Sequence, residues 1–216
     1  MSLKEQLDKV KESFIASAPE EAQTEVFRLI REQQESGIPF GLKAGDKAPD
    51  FTLANPLGKP VTLYDELSKG PVVLTFYRGG WCPFCSLQLR SYQQLLPEIE
   101  KLGGRLIAVS PQSPDNSLSQ QEKEELTFQV LSDPNGQTAE NFGVLYELPE
   151  SLQQIFSGTL GLDLTVFNAS NRWVLPIPAT FIIGRDGIVR RAHVDPDFTV
   201  RLDPQEIVHE LKSLQA

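Results

Sequence analysis

The stretch VVLTFYRGGWCPFC, residues 72–85, holds both cysteines of a 216-residue chain. Its first part, Val72 to Tyr77, is almost continuously apolar, the mark of a strand buried on both faces. Gly79 and Gly80 break that run, and Pro83 follows Cys82 where a first helical turn best tolerates proline. The stretch reads as buried strand, turn and helix, with Cys82 at the helix N-terminus. Unpaired backbone N–H groups and the helix dipole favour a thiolate there, and a free-thiol pKa of roughly 8.5 falls to roughly 3.5–7.5 in such places. Cys82 is therefore expected to be exposed and to ionise near neutrality. Cys85 comes one helical turn later on the same side, where its sulfur can close a disulfide with Cys82.

Outward from this stretch, short strands alternate with helices. Towards the N-terminus, APDFTL (48–53) and KPVTL (59–63) flank the turn NPLG and predict a hairpin. Towards the C-terminus a helix is predicted from about Cys82 to Leu102, then the strand RLIAVS (105–110). A polar helix around Asn116–Leu126, the strand FQVLSD (128–133) and a short helix near Gln137–Phe142 follow. ATFIIG (179–184) and IVRRAHV (188–194) are joined by a hairpin turn at Arg185–Asp186–Gly187. Asp203 caps a last helix that has Pro204 at its first position. This order implies an α/β fold, a mixed sheet between helices.

Two segments stand apart. Residues 1–41 form a helical extension before the main domain, 42–216. Leu3, Leu7, Val10 and Phe14 recur with helical period, and Val26, Phe27 and Ile30 mark a second helix that Gly37 can end. These helices are expected to dock on the main domain, with a homodimer contact as the alternative. The segment 145–177 contains a predicted helix, PESLQQIF, and then Phe167, Trp173 and Leu175. It reads either as a lid or binding wall or as an apolar cluster that pins the loop down. Asp195–Pro196–Asp197 reads as a turn only.

Composition narrows the function classes. The net charge of −9 makes nucleic acid and anionic membrane surfaces poor partners. The start MSLKEQLDKVKESF is charged throughout and does not read as a signal peptide, and no apolar run is long enough to span a bilayer. A cytoplasmic location is expected, where disulfides are mostly transient and catalytic. Cysteine pairs also occur as inert packing. A closed zinc site needs four ligands, and His193 and His209, the only histidines, lack ligand spacing. No metal or cofactor is expected, and the pair points to dithiol–disulfide redox chemistry.

The chain resembles the alkyl hydroperoxide reductase/thiol-specific antioxidant (AhpC/TSA) family, peroxiredoxin-like members of the thioredoxin-fold superfamily. The markers are GDKAPDFTL (45–53), VVLTFYRGGWCPFC (72–85), LIAVSPQSPDN (106–116), FQVLSDPNGQTAENFGV (128–144) and PATFIIGRDGIVRRAHV (178–194). The resemblance implies a thioredoxin fold with an N-terminal hairpin. It also implies a thiol peroxidase: Cys82 attacks hydrogen peroxide or an organic hydroperoxide, Cys85 closes the disulfide, and a thioredoxin-like or glutaredoxin-like donor reduces it. Trp81, Pro83, Arg78 and Pro178 are the supporting candidates, and the fold analogy implies a cis Ile177–Pro178 bond.

Three positions depart from related patterns. Gly79 stands where peroxiredoxins carry a threonine or serine, and Pro178 where they carry an arginine. Losing one oriented donor typically costs on the order of 10²–10³ in rate, so Arg78 or another arginine has to fill in; the alternative for Arg78 is a solvated loop residue. Trp81–Cys82–Pro83–Phe84–Cys85 with Pro178 also resembles thioredoxin-like disulfide reductases, yet Phe76 replaces their buried aspartate. A protein disulfide reductase and a non-catalytic redox sensor therefore stay open beside the peroxidase.

Overall fold

A computed structural model describes residues 1–215. The chain begins with α1 (Leu3–Ser17) and α2 (Glu20–Glu35). A capping box starts α1: the Ser2 side chain accepts from the Glu5 N–H, and the Glu5 carboxylate accepts from the Ser2 N–H at 2.7 Å. β1 (Thr52–Ala54) and β2 (Pro60–Thr62) form the hairpin, closed around Asn55, and lead into α3 (Leu63–Lys69). Then come β3 (Val72–Phe76), α4 (Pro83–Lys101), β4 (Arg105–Ser110), α5 (Pro114–Lys123), β5 (Gln129–Ser132) and α6 (Gln137–Asn141). The segment after α6 holds β6 (Leu145–Glu147), α7 (Glu150–Gln154) continued by a π-helical turn (Ile155–Thr159), α8 (Leu164–Asn168) and β7 (Val174–Pro176). β8 (Ala179–Ile183), β9 (Val189–Val194) and α9 (Pro204–Ser213) complete the fold.

Seven strands form one mixed sheet in the order β2-β1-β5-β4-β3-β8-β9. β3 runs parallel to β4, and β4 to β5; the other neighbours are antiparallel. The apolar run in β3 has its cause here, because helices cover both faces. Val73, Ala108, Val130 and Ile182 face α4 and α9, with Leu89, Tyr92, Ile207 and Leu211 packed over them. Leu74, Phe76, Ile107, Val109 and Phe181 face the other side, with Leu63, Leu67 and Phe142. α3 is an addition to the sequence reading: Leu63 and Leu67, four residues apart, fill that second face.

The N-terminal helices lie on the body of the protein. Leu3 and Leu7 join the cluster around α4, and Lys11 Nζ reaches Asp197 Oδ2 at 3.3 Å and Thr199 Oγ1 at 3.2 Å. The apolar side of α2 (Ala22, Val26, Ile30) packs on Leu148, Leu152, Ile155 and Phe156. Residues of 145–177 thus form a third apolar cluster with α2, while β6 and β7 pair into a separate two-stranded sheet. Among the described residues every peptide bond is trans, so the implied cis Ile177–Pro178 bond is not present. No helix of the described residues is long and apolar enough to cross a membrane.

Candidate active site

β3 ends at Phe76, and the chain must turn out of the sheet before α4 can start. Gly79 makes that turn at φ +147°, where a Cβ would meet Trp81 Nε1 at 2.5 Å. A threonine or serine at this position, with φ unchanged, would therefore collide with the indole. The turn is held from behind by a buried polar network. The Gly80 N–H donates to Gln112 Oε1 at 2.9 Å, Gln112 Nε2 donates to the Tyr77 hydroxyl at 2.8 Å, and that hydroxyl donates to Gln120 Oε1 at 3.0 Å.

Cys82 is the cap residue of α4, with extended backbone, and Pro83 occupies the first helical position. The Cys85 and Ser86 N–H groups both donate to the Cys82 carbonyl, which brings Cys85 under Cys82 in the first turn. Both cysteines are free thiols. The expectation of an exposed Cys82 is corrected: it is 1% exposed, and Cys85 0%. The reason is the cover laid over the helix start by Trp81, Phe84 and Phe198, with Phe84 and Phe198 edge-to-face at 5.5 Å. Cys82 still forms part of the wall of a cleft of about 630 Å³, lined also by Phe14, Val26, Trp81, Phe156 and Phe198. Residues from α1, α2, the π-helical turn and the loop before α9 therefore meet at this sulfur.

Two guanidinium groups approach the pair. Arg78 is buried, not solvated: it is 5% exposed, and its guanidinium lies 4.9 Å from the Trp81 ring centroid and 4.1 Å from that of Phe198. Arg201 is a residue the sequence reading missed. It is 9% exposed, and its Nη2 lies 3.6 Å from Cys85 Sγ. Arg201 Nε donates to Gln88 Oε1 at 2.8 Å, and its Nη1 donates to the carbonyls of Phe198 and Val200. Gln88 in turn donates to the Tyr92 hydroxyl at 3.1 Å and to Thr180 Oγ1 at 3.3 Å. The loop Asp195–Pro196–Asp197 does more than turn: with Lys11 on Asp197, it carries Phe198 and Arg201 over the thiols. The only signal for Arg201 in the sequence is indirect, the proline at 178 that leaves a guanidinium wanting. Pro178 itself lies between β7 and β8, beside the buried Ile177.

The charge on the pair is uneven. Burial pushes both thiols up. At Cys82 the hydrogen bond to Cys85 and the charge on that neighbour add to it, so its pKa stands well above the ordinary value. At Cys85 the hydrogen bond from Cys82 and the charges of Arg201 and Arg78 outweigh burial and bring it down to about 5. The two thiols titrate as one hydrogen-bonded pair, with Cys82 pushed up and Cys85 drawn down. The cause is local, since Arg201 bonds Cys85 and not Cys82.

A mixed sheet flanked by helices, with Cys-x-x-Cys at the turn from a central strand into a helix, defines a thioredoxin-fold dithiol protein. A model of the AhpC/TSA family matches residues 44–192, and the chain belongs to that family. Peroxiredoxin Bcp of Escherichia coli is 36% identical over 103 residues, 48% of this chain and 65% of that protein. The bcp protein of Haemophilus influenzae is 39% identical over 103 residues, 48% of this chain and 66% of that protein. These matches therefore span just under two thirds of the relatives' length. In fold, the chain is similar to Peroxidoxin BcpB from Mycobacterium tuberculosis, with TM-score 0.64 and 23% identity, covering 81% of this chain and 99% of that one.

Proposed function

We propose that this chain is a thiol-dependent peroxidase that cycles Cys82 and Cys85 between dithiol and disulfide. The observation that carries the reading is the hydrogen-bonded thiol pair, one sulfur on a cleft wall and both close to buried guanidinium groups. Cys82 attacks the outer oxygen of the peroxide, the O–O bond breaks, and water or an alcohol leaves. The sulfenic acid on Cys82 is then displaced by Cys85, releasing water and forming the disulfide. A thioredoxin-like or glutaredoxin-like dithiol reduces that bond by exchange. The cytoplasm supplies such donors.

The cleft supports organic hydroperoxides with an apolar body beside hydrogen peroxide, because its walls are mainly aromatic and aliphatic. Trp81 and Pro83 shape the helix start in this reading, and Arg78 supplies positive charge.

The test is steady-state consumption of hydrogen peroxide and of cumene hydroperoxide with a thioredoxin system, beside insulin reduction under the same reductant. Peroxide turnover that Cys82→Ser abolishes, and that Cys85→Ser stalls after one oxidation, supports the peroxidase. Insulin reduction without peroxide turnover overturns it in favour of a disulfide reductase. A disulfide that forms without turnover of either substrate overturns it in favour of a sensor.

A further inference from the structure

Arg78 brings a positive charge to a cleft wall that is otherwise apolar or lightly polar. It follows β3 on the turn before α4, four residues ahead of Cys82, and is 5% exposed. Three aromatic rings surround its guanidinium, with centroids at 4.1 Å for Phe198, 4.9 Å for Trp81 and 6.0 Å for Phe156. An aromatic face attracts the charge, but Phe and Trp offer no acceptor for its N–H groups. Those groups find little else. Arg78 Nε is buried without an acceptor, and the side chain enters no ion pair among the described residues. The charge of Arg78 is felt at both sulfurs, yet the guanidinium that donates to a sulfur is that of Arg201, to Cys85. Carboxylates of the loop that carries Phe198 are committed elsewhere. Asp195 Oδ1 accepts from the Asp197 N–H at 2.8 Å, and Asp197 binds Lys11 and Thr199.

A buried guanidinium without an anionic partner is costly to keep. An anion with oxygen acceptors removes that cost, and a carboxylate matches the fork of donors with two parallel hydrogen bonds. We infer, resting on the peroxidase reading above, that Arg78 makes the cleft selective for organic hydroperoxides that carry a carboxylate. The carboxylate pairs with the guanidinium, the apolar body lies against Phe14, Phe156 and Phe198, and the hydroperoxide meets Cys82. Because Arg78 and Cys82 belong to one short turn, the fitting molecule is compact, with its acid and its peroxide at the two ends of a single ring or short chain. A neutral hydroperoxide fills the same space and leaves the guanidinium unpaired. The protein as a whole carries a charge of −9 and repels anions, so a preference for an acid has to arise in the cleft.

The experiment compares two unreactive ligands that differ only in the acid: para-carboxycumyl alcohol, ionised at neutral pH, and cumyl alcohol. Each is titrated by calorimetry into the reduced full-length protein, and KM is measured for the two matching hydroperoxides. The acid is expected to bind roughly tenfold tighter than the neutral alcohol, and its hydroperoxide to show a KM lower by a similar factor. Arg78→Met should bring the two affinities together, and Arg78→Lys should keep part of the difference. An acid that binds no tighter than the alcohol, or not at all, overturns the inference. So does a preference for the acid that survives in folded Arg78→Met. The native protein decides the matter by itself if Arg78→Met does not fold. The binding arm needs no turnover. Preference for the acid without peroxide consumption keeps the carboxylate site and loses the peroxidase reading, whereas turnover of both hydroperoxides at equal KM, with equal binding of the alcohols, keeps the peroxidase and loses this inference.

Discussion

The central sheet and the cover above its Cys-x-x-Cys turn are built on different principles. In the sheet, Val73 and Leu74, neighbours in β3, serve opposite faces, and each meets a helix or loop that completes the packing. The cover, made from α1, α2, residues 145–176 and the loop 195–203, has no sheet of comparable size beneath it. It is held by a smaller apolar cluster and by ties such as Lys11–Asp197. The sheet delivers the thiols to the end of β3. The cover decides what reaches them, because it supplies most of the cleft wall and Arg201. The comparison teaches that the family architecture and the properties of this site reside in separate parts of the chain.

That division can be broken by experiment, most severely in the sheet. Phe181→Ala removes a fully buried ring that packs against Phe76 and Phe142. A loss of about 3–5 kcal/mol is expected, visible as a lower midpoint in urea unfolding. A loss below about 1 kcal/mol would mean that the sheet is no more tightly specified than its cover.

In the cover the effects should fall on substrate choice. Phe14 packs edge-to-face on Phe27 and lines the cleft. Phe14→Ala is expected to raise KM for cumene hydroperoxide roughly tenfold, at little cost to hydrogen peroxide turnover, since removing a contact of this size is worth about 1–3 kcal/mol. Equal losses for both peroxides would show that α1 supports the site without sorting substrates.

The acid limb of the peroxide turnover gives a further check. The low ionisation of the pair at about 5 predicts activity that is level above that pH and falls as pH drops through it, when the charge is neutralised. An acid limb near the ordinary thiol value of about 8.5 would show that the guanidiniums do not act on the thiols. The smallest effect belongs to Lys11→Ala, which removes a half-exposed ion pair between α1 and the loop 195–203. It should cost about 0–1 kcal/mol in thermal or urea unfolding. A larger loss would mean that the tie holds the whole loop.

The sequence showed the sheet well and the site unevenly. The strand at Arg105–Ser110 has the bounds that the stretch RLIAVS predicts. The last helix starts at Pro204 behind Asp203, whose side chain accepts from the Gln205 N–H as an N-cap should. β6 and β7 were not legible, for each is three residues long and has no period to read. Arg201 was hidden for another reason. It sits 116 residues from Cys85 in a loop with neither helical nor strand alternation, so nothing local distinguishes it from a solvated arginine. Arg78 was visible as a candidate, but only Trp81 and Phe198 closing on it make it a buried charge.

By itself the sequence determined the strand–turn–helix that joins the two sulfurs, the alternation of strands and helices around it, and the amphipathic faces of the first two helices. These follow from neighbouring residues, through periodicity, capping and the stiffness of proline. Tertiary structure alone decided that Cys82 is covered, that residues far apart in the chain wall its cleft, and that the Arg201 guanidinium reaches Cys85. Those properties depend on burial and on the distance between groups that the chain separates widely. Electrostatic stabilisation of a thiolate follows those distances, not position along the sequence.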